Sequence, residues 1–600
     1  MVQPSGTLAG AVITASQAMQ HAFAAYQRGD TAQAEQLCRL VLEVQGNDFD
    51  ALYLSGIIAG QTGRAGAAVD LLAKAVRANP NVADTYYNLG VAQGELKRPA
   101  EALASYERAI ALKPDYADAY YNRGVALREL ERPAEAVESY DRAIALKPDH
   151  AEAYNNRGVA LGRLQRHVEA LESYDRAIAL KPDYAEAYNN RGAVLGELDR
   201  FAEAVESYDR AIARKPNYAN AHNNRGLALA ELNRFSEALK SYERAIALKP
   251  DYAEAFYNRG NVLRDLHRHR QAIDSYERAL ALKPDYASAH WNLADCRLLL
   301  GDFALGWQEY EWRWKLEQRD NARRDFRQPL WLGEESLEGR TILLHSELGL
   351  GDTLLFCRYA TAVASLGGKV ILEIQPPLLP LLADLEGVTQ AVARGAPLPP
   401  FDCHCPLMSL PLAFKTDLDN IPADIPYIRS NAERVAAWQQ RLGKKNKPRV
   451  GVVWSGSMKL RNDRRSMTFA QLLPLISEWA EWISLQTEVR ESDLALLASR
   501  ADVRHLGDEL KDFADTAGLI ELLDLVVTVD TSVAHVAGAM GKPVWILLPF
   551  NPHDWRWMLD REDSPWYPTA RLFRQPASGD WASVTSRVSE ELARRFRARR

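Results

Sequence analysis

The chain has 600 residues, of which 47% are apolar and 25% charged, and its formal net charge is −6. This length exceeds what one hydrophobic core supports, so we expect at least two domains. The acidic balance argues against nucleic acid as the main partner, because phosphate binding needs a basic surface. Five cysteines, an odd number, favour reduced thiols in a cytoplasm. We see no signal-peptide pattern and no apolar stretch of membrane-helix length, so we expect a cytoplasmic protein without a membrane span.

Prolines recur at a fixed spacing in the first half of the chain. Each stands 34 residues after the last, at positions 80, 114, 148, 182, 216, 250 and 284. This period is typical of the tetratricopeptide repeat, a pair of antiparallel helices. Within one unit, Gly124 and Ala136 let the two helices approach closely, and Pro148 ends the second helix. The pattern predicts a tetratricopeptide superhelix, an α-solenoid, over residues 1–318, with the best repeats at 81–284.

One column of the repeats carries asparagine, a weak helix former. A side-chain amide can pair with a peptide backbone without reading its sequence. The column resembles the asparagine ladder of eukaryotic O-linked N-acetylglucosamine transferase, whose repeats hold acceptor proteins. The alternative is an asparagine copied by duplication that only bonds between neighbouring repeats. The candidate acceptor-binding residues are Asn88, Asn122, Asn156, Asn190, Asn224, Asn258 and Asn292.

Arginine fills the next slot of five repeats. The stems can pack while the charged heads reach water, or the heads can help to hold an acidic partner. Both explanations remain open. The arginines are Arg123, Arg157, Arg191, Arg225 and Arg259.

From Gly339 the hydrophobic pattern changes to alternating strands and helices, which predicts parallel sheets. We expect an N-terminal Rossmann-like half at 339–432. A second, nucleotide-sugar-binding Rossmann-like half with a closing C-terminal helix is expected at 446–600. Residues 319–338 form a junction in an aromatic-rich stretch. Such aromatic side chains join domains more often than they bind sugar.

Apolar runs and glycine turns place the predicted elements of this part. A tight glycine turn ends at Asp352, and one helix is expected over 353–366. The predicted strands cover 341–345, 369–374, 449–454, 482–486, 525–529 and 544–548.

The most specific motif follows the strand 525–529. This strand ends at Asp530, and Thr531 and Ser532 can cap the next helix, which contains His535. Free backbone N–H groups and the positive helix end make such a turn a phosphate site. The sequence therefore predicts a sugar nucleotide at this edge of the second sheet.

Two motifs, Gly351-Asp352 and the segment Asp530 to His535, resemble the bacterial heptosyltransferase-type glycosyltransferases. The resemblance covers roughly residues 339–575. It implies a GT-B fold and inverting, metal-independent glycosyl transfer, with Asp352 as the catalytic base. In that family the second motif holds the phosphates of the donor, which assigns this role to Thr531, Ser532 and His535.

Other interpretations of these residues stay open. Asp352 also suits a plain helix N-cap, and His345 and Glu347 are substitute candidates for the base. A loop of glycine and hydroxyls followed by cations suits an anionic donor, although it also fits a solvated basic loop. The donor-binding candidates are Ser455, Ser457, Lys459, Arg461, Gln486, Asp530, Thr531, Ser532 and His535.

The motif Cys403-His404-Cys405 raises the question of a metal. No second Cys/His pair completes a tetrahedral zinc site, and the alternation fits a strand. We therefore expect no metal and no cofactor other than the nucleotide-sugar co-substrate.

These features together predict a bacterial enzyme that glycosylates Ser or Thr of a protein acceptor held by the repeats. The repeat-plus-transferase organisation also resembles bacterial proteins that modify flagellin, so flagellin is the first candidate acceptor. One alternative is a lipopolysaccharide or exopolysaccharide transferase whose repeats only dock partners. Another is a peptide-binding scaffold without catalysis.

Overall fold

The structure is a computed structural model and describes residues 5–8, 11–316, 324–457, 463, 465–550 and 554–597. It divides into two compact units, Met1–Pro250 and Asp251–Arg600. No helix in these ranges combines the length and apolarity needed to cross a membrane. The predicted fold class is confirmed, because repeat helices are followed by an α/β part with parallel sheets.

The first unit contains a short antiparallel hairpin, β1 (Ser5–Leu8) with β2 (Ala11–Thr14), and a run of paired helices. The helices are α1 (Ala15–Gln27), α2 (Thr31–Val44), α3 (Phe49–Gln61), α4 (Ala65–Ala78), α5 (Ala83–Glu95), α6 (Pro99–Leu112), α7 (Ala117–Glu129), α8 (Pro133–Leu146), α9 (Ala151–Arg163), α10 (His167–Leu180), α11 (Ala185–Glu197), α12 (Phe201–Arg214), α13 (Ala219–Glu231) and α14 (Phe235–Leu248).

The local sequence explains each helix pair. Pro133 occupies the first turn of α8, where no partner for its missing N–H is needed. The helix ends at Leu146, two residues before Pro148. A Cβ atom on Gly124 would lie 2.6 Å from a ring carbon of Tyr140. The predicted close approach of the two helices at this glycine is therefore confirmed.

The second unit begins with four more repeat helices and continues into the α/β part. Its repeat helices are α15 (Ala253–Asp265), α16 (His269–Leu282), α17 (Ala287–Leu299) and α18 (Phe303–Tyr310). The elements of the first α/β half are β3 (Thr341–His345), α19 (Leu350–Phe356), α20 (Tyr359–Ser365), β4 (Lys369–Ile374), α21 (Leu379–Leu382), β5 (Val388–Ala393), β6 (Cys403–Pro406) and α22 (Leu410–Ala413).

The remaining elements belong to the second α/β half. They are α23 (Ala432–Leu442), β7 (Arg449–Val453), α24 (Phe469–Leu472), β8 (Glu481–Ser484), α25 (Glu491–Ala498), β9 (Val503–His505), α26 (Phe513–Glu521), β10 (Leu525–Val529), α27 (Ser532–Ala539), β11 (Val544–Leu548), β12 (Ala570–Arg574) and α28 (Trp581–Arg597).

The strands form two parallel sheets. The first sheet has the order β5-β4-β3-β6, and the second sheet has the order β12-β11-β10-β7-β8-β9. All five residues of β10 are buried, as expected for a strand covered on both faces. Because every strand in a sheet points the same way, the loops after the strands gather at one edge of each sheet.

The helix predicted as one segment over 353–366 is two helices, α19 and α20. Arg358 lies at the break between them, and its Nε donates to Leu355 O at 2.9 Å. Its Nη1 donates to Pro422 O and to Trp566 O, each at 2.9 Å. These tertiary bonds hold the buried guanidinium at the break, and the hydrophobic pattern carries no sign of them.

The aromatic junction joins the last repeat helix to the α/β part, as the sequence indicated. Trp307 in α18 is buried, and its Nε1 donates to Thr416 O at 3.0 Å. Its ring lies edge-on to Trp555, with ring centroids 5.0 Å apart. Below it, Arg313 pairs with Glu347 at 3.0 Å, and both side chains are 1% exposed. The predicted joining role of these aromatics is confirmed within the second unit.

Candidate functional site

A cleft of about 730 Å³ lies at the carboxyl edges of both sheets. The first sheet contributes the turn after β3 and the start of α19. The second sheet contributes the loops after β7, β8 and β10. Most of the sequence-predicted catalytic and donor-binding residues line this cleft together: Asp352, Ser455, Ser457, Gln486, Asp530, Thr531, Ser532 and His535.

Lys459 and Arg461, the two predicted cations of the donor loop, lie outside the described residues. The described cations that line the cleft include Arg465 and Lys511. Arg465 is shared between Asp463 at 3.2 Å and Asp530 at 3.8 Å.

The turn after β10 has the predicted form. Thr531 is the N-cap of α27, which begins at Ser532. Helix α27 packs against α19. A Cβ atom on Gly351 would lie 2.8 Å from Cδ2 of His535. The glycine before Asp352 is thus required by the close approach of the imidazole.

Asp352 is held on both carboxylate oxygens. It stands in the first turn of α19, where Oδ2 accepts from the backbone N–H of Gly349 at 2.7 Å. Its Oδ1 is ion-paired with Arg556, a residue 204 positions later in the chain. The capping interaction anticipated as an alternative is therefore present, although Gly349 rather than Asp352 is the N-cap. One fifth of the side chain stays exposed, at the cleft.

His535 is a neutral group in this site. Burial and the charge of Arg556 lower the pKa of His535 to about 3. Nδ1 lies 2.9 Å from the hydroxyl of Tyr567, and the ring stacks on Trp557 with centroids 5.4 Å apart. The imidazole can exchange a hydrogen bond with a ligand but brings no positive charge at neutral pH.

The carboxyl groups of Asp530 and Asp554 lie close together beside the phosphate turn, where Asp530 is buried and one fifth of the Asp554 side chain is exposed. Burial, together with the charge of Asp554, raises the pKa of Asp530 to about 7. Burial also opposes ionisation of Asp554, but the Arg556 guanidinium outweighs it and lowers the pKa of Asp554. Around neutral pH Asp530 therefore carries less negative charge on average than Asp554.

The side-chain amide of Gln486 and the hydroxyl of Ser455, both next to the second sheet, have different environments. Gln486 is fully used within the protein, because its Oε1 accepts from the N–H groups of Trp454 and Ser455 at 3.1 Å each. Its Nε2 donates to Ser455 O at 2.9 Å. Gln486 therefore shapes the loop rather than offering free groups. Ser455 Oγ, by contrast, is buried at the cleft and has no hydrogen-bond partner among the residues that the structure describes. An orphaned hydroxyl in a cleft is a ready contact for a ligand.

The substitute bases considered from the sequence lie away from the cleft opening. Glu347 accepts from Arg313 and from the N–H of Met408 at 3.1 Å. His345 is 2% exposed and contacts His404 at 3.2 Å. Neither residue lines the cleft described above. Cys403 and its neighbours form strand β6, as their alternation indicated. Within the described ranges, no group of three or more His, Cys, Asp or Glu side chains could hold a metal ion.

Sequence reasoning missed Arg556 and Asp554. The only local signal was the aromatic setting of Arg556 between Trp555 and Trp557. Their role depends on a contact with Asp352 that the distance along the chain conceals.

The asparagine column bonds from repeat to repeat. In six of the seven asparagines the amide Nδ2 donates over 3.1 to 3.3 Å to a side chain 35 positions earlier: Asn88 to Tyr53, Asn122 to Tyr87, Asn156 to Tyr121, Asn190 to Asn155, Asn224 to Asn189, and Asn292 to Tyr257. The inter-repeat bond considered as the alternative is therefore present. Because a side-chain amide has two donor hydrogens and two acceptor lone pairs, this bond leaves capacity for a ligand, and acceptor binding stays a prediction.

In the central repeats the column becomes continuous. Asn155 donates to Asn156 at 3.3 Å, and Asn189 donates to Asn190 at 3.4 Å. Together with the inter-repeat bonds, these contacts make a zigzag chain of amides. The outer repeats of this unit have tyrosine instead, such as Tyr87, at the position of Asn155.

The arginine column also bonds within the array. Arg157 donates to Ser173 of its own repeat at 2.7 Å and pairs with Asp141 of the preceding repeat at 2.6 Å. Arg191 and Arg225 make the equivalent contacts. The guanidinium groups are partly buried and paired with the protein's own side chains. The packing interpretation expected packed stems with the charged groups in water, and it did not anticipate these pairs.

Comparison with known proteins agrees with the repeat architecture. The tetratricopeptide repeat family matches residues 19–83, 87–149, 124–185, 185–218 and 253–286, and the TPR repeat family matches 226–266. The N-terminal part is therefore an array of tetratricopeptide repeats, which indicates a protein-interaction module.

Among curated proteins, the chain is similar to Protein FlbA of Caulobacter vibrioides. The two are 27% identical over 325 residues, which amount to 50% of this chain. The chain spans about half of FlbA, 54% of its length.

Similar solved structures cover part of the chain. The crystal structure of MamA is 27% identical in sequence to the matched part of this chain, with a TM-score of 0.27. The match covers 27% of this chain and 96% of the MamA chain. YrrB, described as a TPR protein with an unusual peptide-binding site, is 26% identical, covers 31% and 96%, and has a TM-score of 0.28. At such TM-scores neither likeness enters the argument.

Proposed function

We propose that this chain is an inverting, metal-independent protein O-glycosyltransferase of the GT-B type. The observation that carries the proposal is the cleft between the two sheets. It brings Asp352 from the first sheet within reach of the turn from Asp530 to His535 on the second. A base on one side and a phosphate site on the other are the two requirements of inverting transfer.

The donor side has the features that an anionic leaving group needs. The N-terminus of α27 opens onto the cleft with the backbone N–H groups of its first turn. Ser455 Oγ, which lines the same cleft, is a buried hydroxyl without a hydrogen-bond partner in the described ranges. Arg465 and Lys511 add positive charge. A sugar nucleotide with its phosphates at this turn would place the anomeric carbon towards Asp352.

The acceptor side rests on the repeats. The amide chain from Asn155 to Asn224 offers donors and acceptors of the kind that an extended polypeptide backbone takes up. A Ser or Thr hydroxyl of that polypeptide would give its proton to Asp352. Flagellin remains the first candidate acceptor, and the buried, free cysteines suit an enzyme of the cytoplasm.

The test is nucleotide release from UDP-, ADP- and CMP-linked sugars by the purified chain, followed by intact-mass spectrometry of added flagellin. We expect release from one donor class and a matching mass gain on the protein. Asp352→Asn should lower the rate by about 100-fold or more, in line with the loss of a general base.

Two other results would favour the alternatives. Transfer to a glycan but to no protein would support a polysaccharide transferase with docking repeats. Absence of nucleotide release from every donor, with polypeptide binding intact, would support a scaffold without catalysis.

A further inference from the structure

Arg556 connects the two halves of the cleft. Its Nη1 contacts Asp554 at 2.9 Å, and its backbone N–H donates to the same carboxylate oxygen at 2.9 Å. Its Nη2 is ion-paired with Asp352 on α19 of the first half. One guanidinium thus joins a carboxylate beside the donor turn to the proposed base.

The surroundings of Arg556 fix this geometry. The side chain is 9% exposed. Its guanidinium carbon lies 4.5 Å from the ring centroid of Trp555 and 5.7 Å from that of Phe356. Among the described residues, its Nε is buried without a hydrogen-bond partner. The guanidinium therefore lies against two aromatic rings, and its direction is set by packing as well as by charge.

Stability alone does not explain a charged group in such a place. Removing a guanidinium and two carboxylates from water costs free energy that their attraction only partly returns, and an apolar side chain would pack there at less cost. A positioned carboxylate, by contrast, gains from a rigid partner, because a misplacement of about 1 Å in a catalytic group can cost a factor of about 100 in rate.

We propose that Arg556 is a positioning residue that aims the carboxylate of Asp352 across the cleft. The inference rests on the proposed function. In the reaction, the acceptor hydroxyl gives its proton to Asp352 while its oxygen bonds to the anomeric carbon. The bond from that carbon to the donor phosphate breaks, and the electron pair leaves with the phosphate oxygen. Arg556 stays protonated throughout and touches neither substrate.

The mechanical consequence concerns the relative placement of base and donor. Asp554 lies on the second half, next to Asp530 of the donor turn, whereas Asp352 belongs to the first half. Helix α19 already packs against α27 of the second half, and Arg556, which holds both Asp352 and Asp554, sets the direction of the Asp352 carboxylate relative to the donor turn.

The test compares Arg556→Ala and Arg556→Lys with wild type in the nucleotide-release assay. We expect Arg556→Ala to lose about 100-fold in kcat, the cost of a misplaced catalytic group, with the KM for the donor unchanged within threefold. Added guanidine should restore part of the kcat that Arg556→Ala loses. The kcat of Arg556→Lys should lie between those of wild type and Arg556→Ala. The matched control is Arg561→Lys, whose guanidinium pairs with the exposed Asp563 at 2.7 Å and should leave kcat unchanged.

Each outcome decides the inference. If wild type is active and Arg556→Ala keeps its kcat within threefold, or raises only the KM, the positioning role is wrong and the proposed function stands. Loss of activity that guanidine does not rescue, in a variant whose tryptophan fluorescence is native, also overturns it. If wild type releases nucleotide from no donor, the proposed function and the inference fall together.

Discussion

The repeat array and the cleft treat their polar groups in opposite ways. In the array, the same amide and guanidinium contacts recur every 34 residues and bond neighbouring repeats to each other. In the described part of the cleft, the buried Ser455 hydroxyl has no hydrogen-bond partner and two carboxyl groups lie close together. The comparison teaches that the repeated contacts of the array serve the fold first, whereas the unsatisfied and crowded groups of the cleft are left for a ligand.

The largest effect is expected where the α/β part has a satisfied buried charge. Arg313→Met leaves Glu347 buried without its cation, which should lower the free energy of unfolding of the second unit by about 3–5 kcal/mol. All 14 tryptophans lie between residues 291 and 581, so tryptophan fluorescence reports on this unit alone. Adding Glu347→Gln should recover part of the loss. A double variant as unstable as the single one would refute the buried-charge explanation.

A pH-dependent effect on stability is expected from the neighbouring carboxyl groups of the cleft. Removing one of them should stabilise the protein, whereas removing Arg313 should destabilise it. Because the pKa of Asp530 is about 7 in the folded state against 3.8 as its ordinary value, the folded state binds this proton more tightly. The stability from that proton is complete below about pH 4 and is lost as the pH rises through about 7.

Asp530→Asn removes this titration. We expect the variant to gain stability relative to wild type as the pH rises from 5 to 8, measured by urea unfolding followed by tryptophan fluorescence. The other charged groups around Asp530, namely Asp554, Arg465, Arg556 and Asp463, are unchanged in the variant. A constant difference between variant and wild type over this pH range would contradict the predicted titration.

In the array, crowding is apolar, and a smaller effect is expected. A Cβ atom on Gly158 would lie 2.6 Å from the ring of Tyr174, which is buried. Gly158→Ala should therefore destabilise the first unit by about 1–3 kcal/mol through overpacking. A Cβ atom on Gly196 in α11 would meet no heavy atom within 4 Å. Gly196→Ala should therefore stabilise the first unit by up to about 1 kcal/mol, because Ala is the better helix former. Hydrogen–deuterium exchange of peptides from these repeats measures both. Equal effects of the two changes would show that packing against Tyr174 is not the cause.

The smallest change in stability is expected from the amide column. Replacing Asn122, Asn156 and Asn190 together by Ala loses hydrogen bonds of about 1 kcal/mol each but gains helix propensity of somewhat less. We expect the KM for a polypeptide acceptor to rise while nucleotide release without acceptor is unchanged. If acceptor binding and nucleotide release without acceptor are weakened equally, the column supports the fold and does not bind the acceptor.

The sequence predicted the buried strands, the repeat period and the two cleft motifs. The strands predicted at 341–345, 369–374, 525–529 and 544–548 have these bounds in the structure, because short buried apolar runs bounded by turns are typical of parallel strands. The 34-residue period located the repeat helices. The two motifs around Asp352 and His535 were assigned to a single active site, and they line one cleft.

What sequence could not predict depends on long-range neighbours. The pairing of Arg556 with Asp352 spans 204 positions, and no local pattern reports it. The raised pKa of Asp530 comes from burial beside Asp554, which only the fold creates. The break at Arg358 arises from bonds to Pro422 and Trp566, so the hydrophobic pattern read one helix where there are two.

The equal spacing of the amide column has a consequence for length. Asn224 meets Asn189, and Asn190 meets Asn155, each 35 positions earlier. Excision of residues 185–218 would bring Asn224 opposite Asn155, the same chemistry in the same place. Among these central repeats a whole unit can therefore be removed or added with the amide contact kept at the seam, so that the length of the amide chain is adjustable in steps of one unit.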